Sequence, residues 1–427
     1  MYPFPLTAFT VTSVDNPWTY VVFLVIGFFF GLVLEISGFG NSKKLAAQFY
    51  FSDLTVLKVM FGAIVTAMVL LFTGIGLGLV DYNLVYVNTT YLWPMIVGGL
   101  IMGVGFIIGG FCPGTSLVSM TTGKIDGFFF VGGVLGGIFL FGETERFYDQ
   151  WWNVAGYMGR FTLMDWLNLP NGVVVTIIVA MALFMFWGSE QLERIFGKRD
   201  LAKEPKLRVA GAAALFAMAV LTIIIGVPSQ DQKYSRVIIN RTLAGTEVKT
   251  PYSADAALAA REMQISPAEL FKTIYDQKTI LHMIDVRSEA DYNLYHIRGA
   301  INIPVSQLNS HIKSFLAEAK PNAVYVVMSN DETAATTAWK MLVAESVPNS
   351  YILDGGINNW IAAFGKDDPG IKPASTTADD QLRYIFPAAL GDRYQSCDPS
   401  PIEYEAIEFT PKIQLQMKRD KSGGGCG

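Results

Sequence analysis

Cysteine and histidine are both scarce in this chain, three of each among 427 residues. Cys112, Cys397 and Cys426 are too few to build a disulfide scaffold. There is no C-x-x-C and no Cys/His cluster, and all three histidines fall in the second half, so nothing supports a zinc, haem or iron–sulfur site and no cofactor is expected. Charge is sparse as well. Asp, Glu, Lys and Arg make up 16% of the residues, the net charge is -5, and no long basic run occurs, which argues against nucleic acid as a partner. No Lys or Arg precedes Trp18, which argues against a cleaved secretory signal with a basic start.

What the chain has in excess is apolar. Hydrophobic residues account for 51% of it, and they concentrate in runs at about 18–37, 56–80, 92–110, 126–142, 172–188 and 208–227. On the criterion of about 20 apolar residues per crossing, these predict about six spans, some of them short. Gly98, Gly99, Gly103 and Gly105, and then Gly132, Gly133, Gly136 and Gly137, form small-residue faces suited to close helix packing in lipid. The stretch from Phe147 to Trp166, with Trp151, Trp152 and Tyr157, reads as interfacial. Arg194, Lys198, Arg199, Lys203, Lys206 and Arg208 crowd one loop, whereas Asp81 to Trp93 holds no Lys or Arg. Positive charge marks the cytoplasmic side, so an even number of spans places both the N-terminus and the polar second half outside, in the periplasm of a Gram-negative cell.

One stretch organises the apolar half: Gly109-Gly110-Phe111-Cys112-Pro113-Gly114-Thr115-Ser116. Proline is tolerated at the first helical position because the N–H it lacks has no partner there, so Cys112 is predicted near an N-cap. A thiol at a helix start feels the positive end of the dipole, which lowers its pKa, and the same end attracts anions. Broken helices of this kind are tolerated at membrane depth where they line a cavity, and transporters place substrate there. Gly31 and Gly38-Phe39-Gly40 repeat the spacing of Gly103 and Gly110-Phe111-Cys112, and Asn41 or Ser42 can cap the helix that follows. Two related halves are predicted, each a span, a re-entrant or broken helix and a second span. Gly40 stands where the second half has Cys112.

Cys112 is either a small apolar filler or a substrate-contacting thiol, and its context favours the second. Glu35, inside an apolar run, is either functional or a span-end group that reaches water or pairs with Lys43 or Lys44. Lys43, Lys44 and Lys124 draw in anions or are ordinary cytoplasmic-face charges.

The Ser37-Gly38-Phe39-Gly40-Asn41 and Gly110-Phe111-Cys112-Pro113-Gly114-Thr115 elements resemble the repeated signature of the YeeE/YedE sulfur-transport family, over about residues 18 to 226. The resemblance implies passage of a small sulfur anion, thiosulfate for its permease members. The chain departs from the larger members in having fewer spans and one membrane cysteine, which argues against a multi-cysteine sulfur relay.

In the polar half, Ser266-Pro267-Ala268-Glu269 has the form of a capping box. Buried strands are predicted at Ile280 to Val286, Val324 to Met328 and Tyr351 to Leu353, with a helix at Thr333 to Ala344, an alternation that implies a parallel sheet covered on both faces. Asp285-Val286-Arg287, His296-Ile297-Arg298-Gly299-Ala300-Ile301-Asn302-Ile303-Pro304 and Leu353-Asp354-Gly355-Gly356-Ile357 with Trp360 together resemble a rhodanese domain over about residues 258 to 365. In that family the loop after the strand ending at Met328 carries a nucleophilic cysteine and cradles an anion. Here it reads Ser329-Asn330-Asp331-Glu332-Thr333, so Ser329 occupies the nucleophile's place. A serine hydroxyl does not accept sulfane sulfur as a thiolate does, and Asp331 and Glu332 repel an anion, so the domain is expected to be inactive as a sulfurtransferase.

Ile402 to Glu405 and Lys412 to Met417 alternate like strands of an exposed hairpin, and the chain ends Gly423-Gly424-Gly425-Cys426-Gly427. That end resembles the mobile cysteine arm of carriers in periplasmic thiosulfate oxidation; it is otherwise an inert or engineered tail. Cys397 reads as a loop cysteine, able to pair with Cys426.

The expected architecture is therefore a membrane α-helical bundle with pseudo-repeated broken helices (1–227), a linker (228–257) with strand potential at Val237-Ile238-Ile239, an α/β rhodanese-like domain (258–365) and a β-rich tail (366–427). The expected function is transport of a small sulfur anion through a multi-pass protein of the bacterial inner membrane. The alternatives are a membrane-anchored sulfur carrier working through Cys426, and a docking platform for sulfur-oxidation enzymes.

Overall fold

The computed structural model describes residues 17–85, 87–197, 207–242, 249–318, 322–366, 368–375 and 378–415. Most of the basic loop that sets the orientation argument, from 198 to 206, and the Gly-Cys end with Cys426 lie outside the described residues. The chain divides between Val227 and Pro228 into two compact units.

The first unit is helical: α1 (Pro17–Ile36), α2 (Ser42–Ala46), α3 (Thr55–Gly76), α4 (Leu92–Gly109), α5 (Pro113–Thr121), α6 (Ile125–Thr144), α7 (Asp149–Val154), α8 (Leu163–Leu167), α9 (Asn171–Ile195) and α10 (Leu207–Ile225). A short ladder joins β1 (Thr90–Tyr91) to β2 (Tyr157–Gly159). Among the described residues, five helical stretches are long and apolar enough to cross a membrane: Thr55–Gly76, Leu92–Thr121, Ile125–Phe147, Asn171–Ile195 and Leu207–Ile225. The six apolar runs all become helix. The first, with its described apolar stretch at Tyr20–Ile36, is shorter than the other five. The stretch from Phe147 to Trp166 folds into short pieces too brief to cross, α7, β2 and most of α8.

Packing is uneven across this unit. Helices α3, α9 and α10 bury a shared seam of Val65, Val69, Val175, Val179, Ala182 and Ala219. Small residues bring the backbones together there: a Cβ on Gly172 would lie 2.8 Å from the Thr222 carbonyl oxygen on α10. The glycine faces of α4 and α6 behave differently. A Cβ at Gly98, Gly99, Gly103, Gly105, Gly132, Gly133, Gly136 or Gly137 would meet nothing within 4 Å, so these faces, expected to mediate close packing, have no neighbour among the described residues.

The second unit contains α11 (Gln230–Tyr234), β3 (Ile238–Thr242), β4 (Lys249–Ser253), α12 (Ala254–Ala259), β5 (Gln264–Ile265), α13 (Pro267–Ile274), β6 (Ile280–Asp285), α14 (Glu289–Leu294), β7 (Ile301–Asn302), α15 (Val305–Glu318), β8 (Ala323–Met328), α16 (Thr333–Ala344), β9 (Ser350–Leu353), α17 (Gly356–Phe364), β10 (Lys372–Pro373) and β11 (Tyr384–Ile385). Five strands form a parallel sheet in the order β5-β9-β8-β6-β7. Strand β8 is buried along its whole length, as a central strand covered on both faces should be. One core lies beneath α15 and α16, and the other beneath α13 and α17.

Three expectations are corrected here. Residues 228–257 were expected to link the two regions, with strand potential at Val237-Ile238-Ile239; the described ones among them include that strand, as β3 paired with β4, together with α11 and the start of α12, and contribute Ile239, Ala254 and Ala257 to the core. Ser266 caps α13 by accepting from the Glu269 N–H, but the Glu269 carboxylate does not close a capping box; its Oε1 accepts from the Lys412 and Ile413 N–H groups, at 2.6 and 2.7 Å. For the same reason the C-terminal hairpin does not form among the described residues. Backbone groups at 412–414 are satisfied by Glu269 and by the Tyr351 hydroxyl instead of by a partner strand, and 401–406 is a run of turns. The tail packs into the domain, burying Phe386, Leu390 and Cys397, and among the described residues its one ladder is β10 with β11.

Candidate functional site

Both predicted helix breaks are present, and each is made by a glycine. Gly38 (φ +74°) follows the end of α1 and Gly110 (φ +69°) that of α4, in left-handed conformations that residues other than Gly rarely adopt. The next residue in each break, Phe39 or Phe111, is 1% exposed, and both sit in one cluster with Leu45 and Val56. The breaks also touch. A Cβ on Gly110 would lie 3.1 Å from the Ser42 carbonyl oxygen, and one on Gly40 would lie 2.8 Å from Glu35 Oε2 and 3.0 Å from Lys124 Nζ. Ser42 Oγ donates to Asp126 Oδ2 at 2.8 Å, tying the first break to the start of α6.

Asn41 caps α2, its Oδ1 accepting from the Lys43 N–H at 3.0 Å. Cys112 is the N-cap of α5, with Pro113 at the first helical position. Thr115 Oγ1 accepts from the Cys112 N–H at 3.0 Å and lies 3.2 Å from its Sγ, so the thiol is held by the residue that caps its own backbone. Ser116 Oγ is spent on the Pro113 carbonyl at 2.8 Å.

Cys112 and Thr115 line a cavity of about 820 Å³, walled by aromatic and aliphatic side chains that include Phe39, Phe49, Phe106 and Phe184. Gln48 and Ser189 add the other polar side chains, and no ionisable group apart from the thiol lines it. Of the residues singled out in the sequence, Cys112 and Thr115 of the second break and Phe39 of the first line this cavity. Gly38, Gly40, Asn41, Ser42, Gly110, Phe111, Pro113, Gly114 and Ser116 shape or support the breaks without lining it.

Glu35 does not pair with Lys43 or Lys44. Its carboxylate meets Lys124 of the other half at 3.7 Å, while Lys44 Nζ donates to the Ser37 carbonyl at 2.7 Å. Two residues escaped the sequence reading. Glu193 of α9 is fully buried, its Oε1 accepting from the Leu54 N–H at 2.6 Å and its Oε2 from Lys58 Nζ at 2.7 Å, so it ties α9 to the start of α3. Ser119 is fully buried, and its Oγ has no hydrogen-bond partner among the described residues. Its position seven residues after Cys112 puts both on one helix face, the spacing that would have flagged it.

In the second unit, Ser329 is fully buried between β8 and α16, and its Oγ accepts from the Ala335 N–H at 3.2 Å. Asn330 is held by Arg287, which donates to its Oδ1 at 3.0 Å and is itself locked to Asp285 at 2.6 Å. Glu332 faces away from the loop's amides, accepting from Arg261 at 2.6 Å and from the Gly355 N–H at 2.7 Å. The expected repulsion of anions therefore falls to Asp331. Burial pushes its pKa up, but hydrogen bonds from the Thr333 and Asp380 N–H groups outweigh this and hold it below the ordinary carboxylate range. Gly356 closes the loop from outside: a Cβ there would fall 2.1 Å from the Asp331 carbonyl oxygen.

Cys397 lies in a short turn of the tail, Gln395–Cys397, as a buried loop cysteine. It is 1% exposed, its thiol turns to the Gly391 carbonyl, and burial pushes it up to about 12.

Residues 36–232 match the family model for sulphur transport, and residues 266–363 match that for the rhodanese-like domain. No curated protein matches the chain. Among solved structures, the BH2092 protein from Bacillus halodurans is similar at 21% identity, covering 25% of this chain and 76% of its own, with a TM-score of 0.22. The rhodanese-like domain of the Alr3790 protein from Anabaena is similar at 18% identity, covering 29% of this chain and 96% of its own, also with a TM-score of 0.22.

Proposed function

We propose, from the premise that a sulphur-transport domain and a rhodanese-like domain share this multi-pass chain, that it carries thiosulfate or a closely related sulfur anion across the bacterial inner membrane. The observation that carries this reading is the Cys112 thiol, set at a helix break on the wall of a membrane cavity. The terminal sulfur of thiosulfate is soft and weakly hydrated, which suits an aromatic wall with one thiol. The oxygen end needs donors, and those nearest the thiol are the Gly114 N–H and the Thr115 hydroxyl once it turns from the Cys112 carbonyl, since Pro113 has no N–H and the Ser116 N–H is spent on that same carbonyl. The contact is a reversible hydrogen bond between thiol and sulfur, with no covalent intermediate. Ser119 continues the polar face along α5, and the ion pair of Glu35 with Lys124 stands beside Gly40.

The rhodanese-like domain, on the periplasmic side in this reading, has no sulfurtransferase activity, because Ser329 replaces the nucleophile and is buried. Radiolabelled thiosulfate uptake into vesicles tests the transport reading. Uptake should be lost in Cys112→Ala and retained in Cys397→Ala; uptake by Cys112→Ala at the wild-type rate would overturn it. Thiocyanate formation from thiosulfate and cyanide by the purified chain with Cys397 and Cys426 replaced would overturn the second claim.

A further inference from the structure

The amides at the start of α16 already hold an anionic group, and it comes from the chain's own tail. Asp380 Oδ1 accepts from the Asp331 N–H and its Oδ2 from the Ala334 N–H, both at 3.0 Å. The backbone of the same residue is engaged as well. Its N–H donates to Asp331 Oδ2 at 2.6 Å, and its carbonyl accepts from Asn330 Nδ2 at 2.9 Å. Asp380 sits at φ +53°, a left-handed conformation in which Asp and Asn are the most tolerated residues after Gly. The flanking chain is pinned by Asn358, whose Nδ2 donates to the Gln381 carbonyl at 2.9 Å and whose Oδ1 accepts from the Arg383 N–H at 2.8 Å. Asn330 and Asn358, at 4% and 7% exposed, are buried amides whose side chains are used to fasten this strap.

We infer that Asp380 is the ligand of this loop: a tethered carboxylate that fills the anion position and closes the rhodanese-like domain to free oxyanions. A carboxylate presents two oxygens to two converging N–H groups as a sulfate or thiosulfate would, and α16, at 12 residues, adds the positive end of its dipole. Being part of the same chain, Asp380 competes at the high effective concentration of an intramolecular partner. The loop has therefore kept an oxyanion cradle and lost both the nucleophile and the vacancy. This holds whether or not the membrane unit carries thiosulfate, and its test does not involve uptake.

The test is hydrogen–deuterium exchange of the 329–337 segment in the full-length chain in detergent, with sodium sulfate compared against chloride at matched ionic strength. In the wild type, sulfate should leave exchange unchanged. In Asp380→Ala the segment should exchange about tenfold faster, the loss expected for charge-assisted bonds, and sulfate at tens of millimolar should slow it again. Asp380→Asn keeps the shape and tolerates the backbone conformation but lacks the charge, so it should move the same way by less; it also carries the test if the alanine variant does not fold. Three results would each overturn the inference: sulfate protection of the wild type equal to that of the variants, exchange identical in all three proteins, or faster exchange in the variants that sulfate does not reverse.

Discussion

Replacing Thr115 with valine keeps shape and volume and removes only the hydroxyl that caps Cys112. Thr115 is 3% exposed and lies on the cavity wall beside Cys112. The Cys112 N–H loses its 3.0 Å acceptor, and Sγ loses its 3.2 Å neighbour. Loss of an N-cap interaction costs about 1 kcal/mol, and leaving a sheltered N–H unsatisfied raises this to about 2 kcal/mol. For a domain of roughly 200 residues, that lowers the midpoint of thermal unfolding by about 4–8 °C. The thiol also loses the group that fixes its direction, so the maleimide reaction rate at Cys112, read by peptide mass spectrometry, should change. Thr115→Ser retains the oxygen and should restore both values. If Thr115→Val unfolded and reacted like the wild type, or if Thr115→Ser failed as badly as valine, the capping account of this site would be wrong.

Glu193→Gln leaves Lys58 facing an amide and should destabilise the membrane unit by about 3 kcal/mol, near the lower end for a broken buried pair because Lys58 is partly exposed; thermal unfolding in detergent measures it. Gly356→Ala places a methyl inside the Asp331 and Ser329 carbonyls at a left-handed position, and should cost more than about 2 kcal/mol, visible as proteolysis of the second unit. Cys397, raised from 9.0 to about 12 by burial, contributes stability that is complete below pH 9 and is lost as pH rises from 9 towards 12, because the unfolded chain then gains a thiolate that the folded chain excludes. Denaturant melts between pH 8 and 11 should therefore fall more steeply for the wild type than for Cys397→Ala.

The membrane half was legible where composition and local geometry decide the outcome. The apolar runs became helices, and the Gly-Phe breaks could be read because a left-handed residue after a span needs glycine. The parallel sheet was legible from its short apolar runs. What stayed hidden depends on partners remote in sequence. Glu35 finds Lys124, Glu193 finds Lys58, and Glu269 finds the backbone of Lys412, pairings that no spacing rule connects. The tail failed for the same reason: alternation at 402–417 predicted a hairpin, but the domain offered carboxylate and hydroxyl acceptors and donors that satisfied the backbone first. Asp380 carried no signal at all, since an aspartate in a Pro- and Asp-rich stretch reads as a turn former.

The meeting of Gly110 with Ser42 has a mechanical consequence. With the Ser42 carbonyl where a side chain on Gly110 would be, neither elbow can swing without pushing the other, because packed atoms at van der Waals distance pass a displacement on. The two kinks therefore form one joint, and in the proposed transport cycle an opening past the sulfhydryl would turn both halves together.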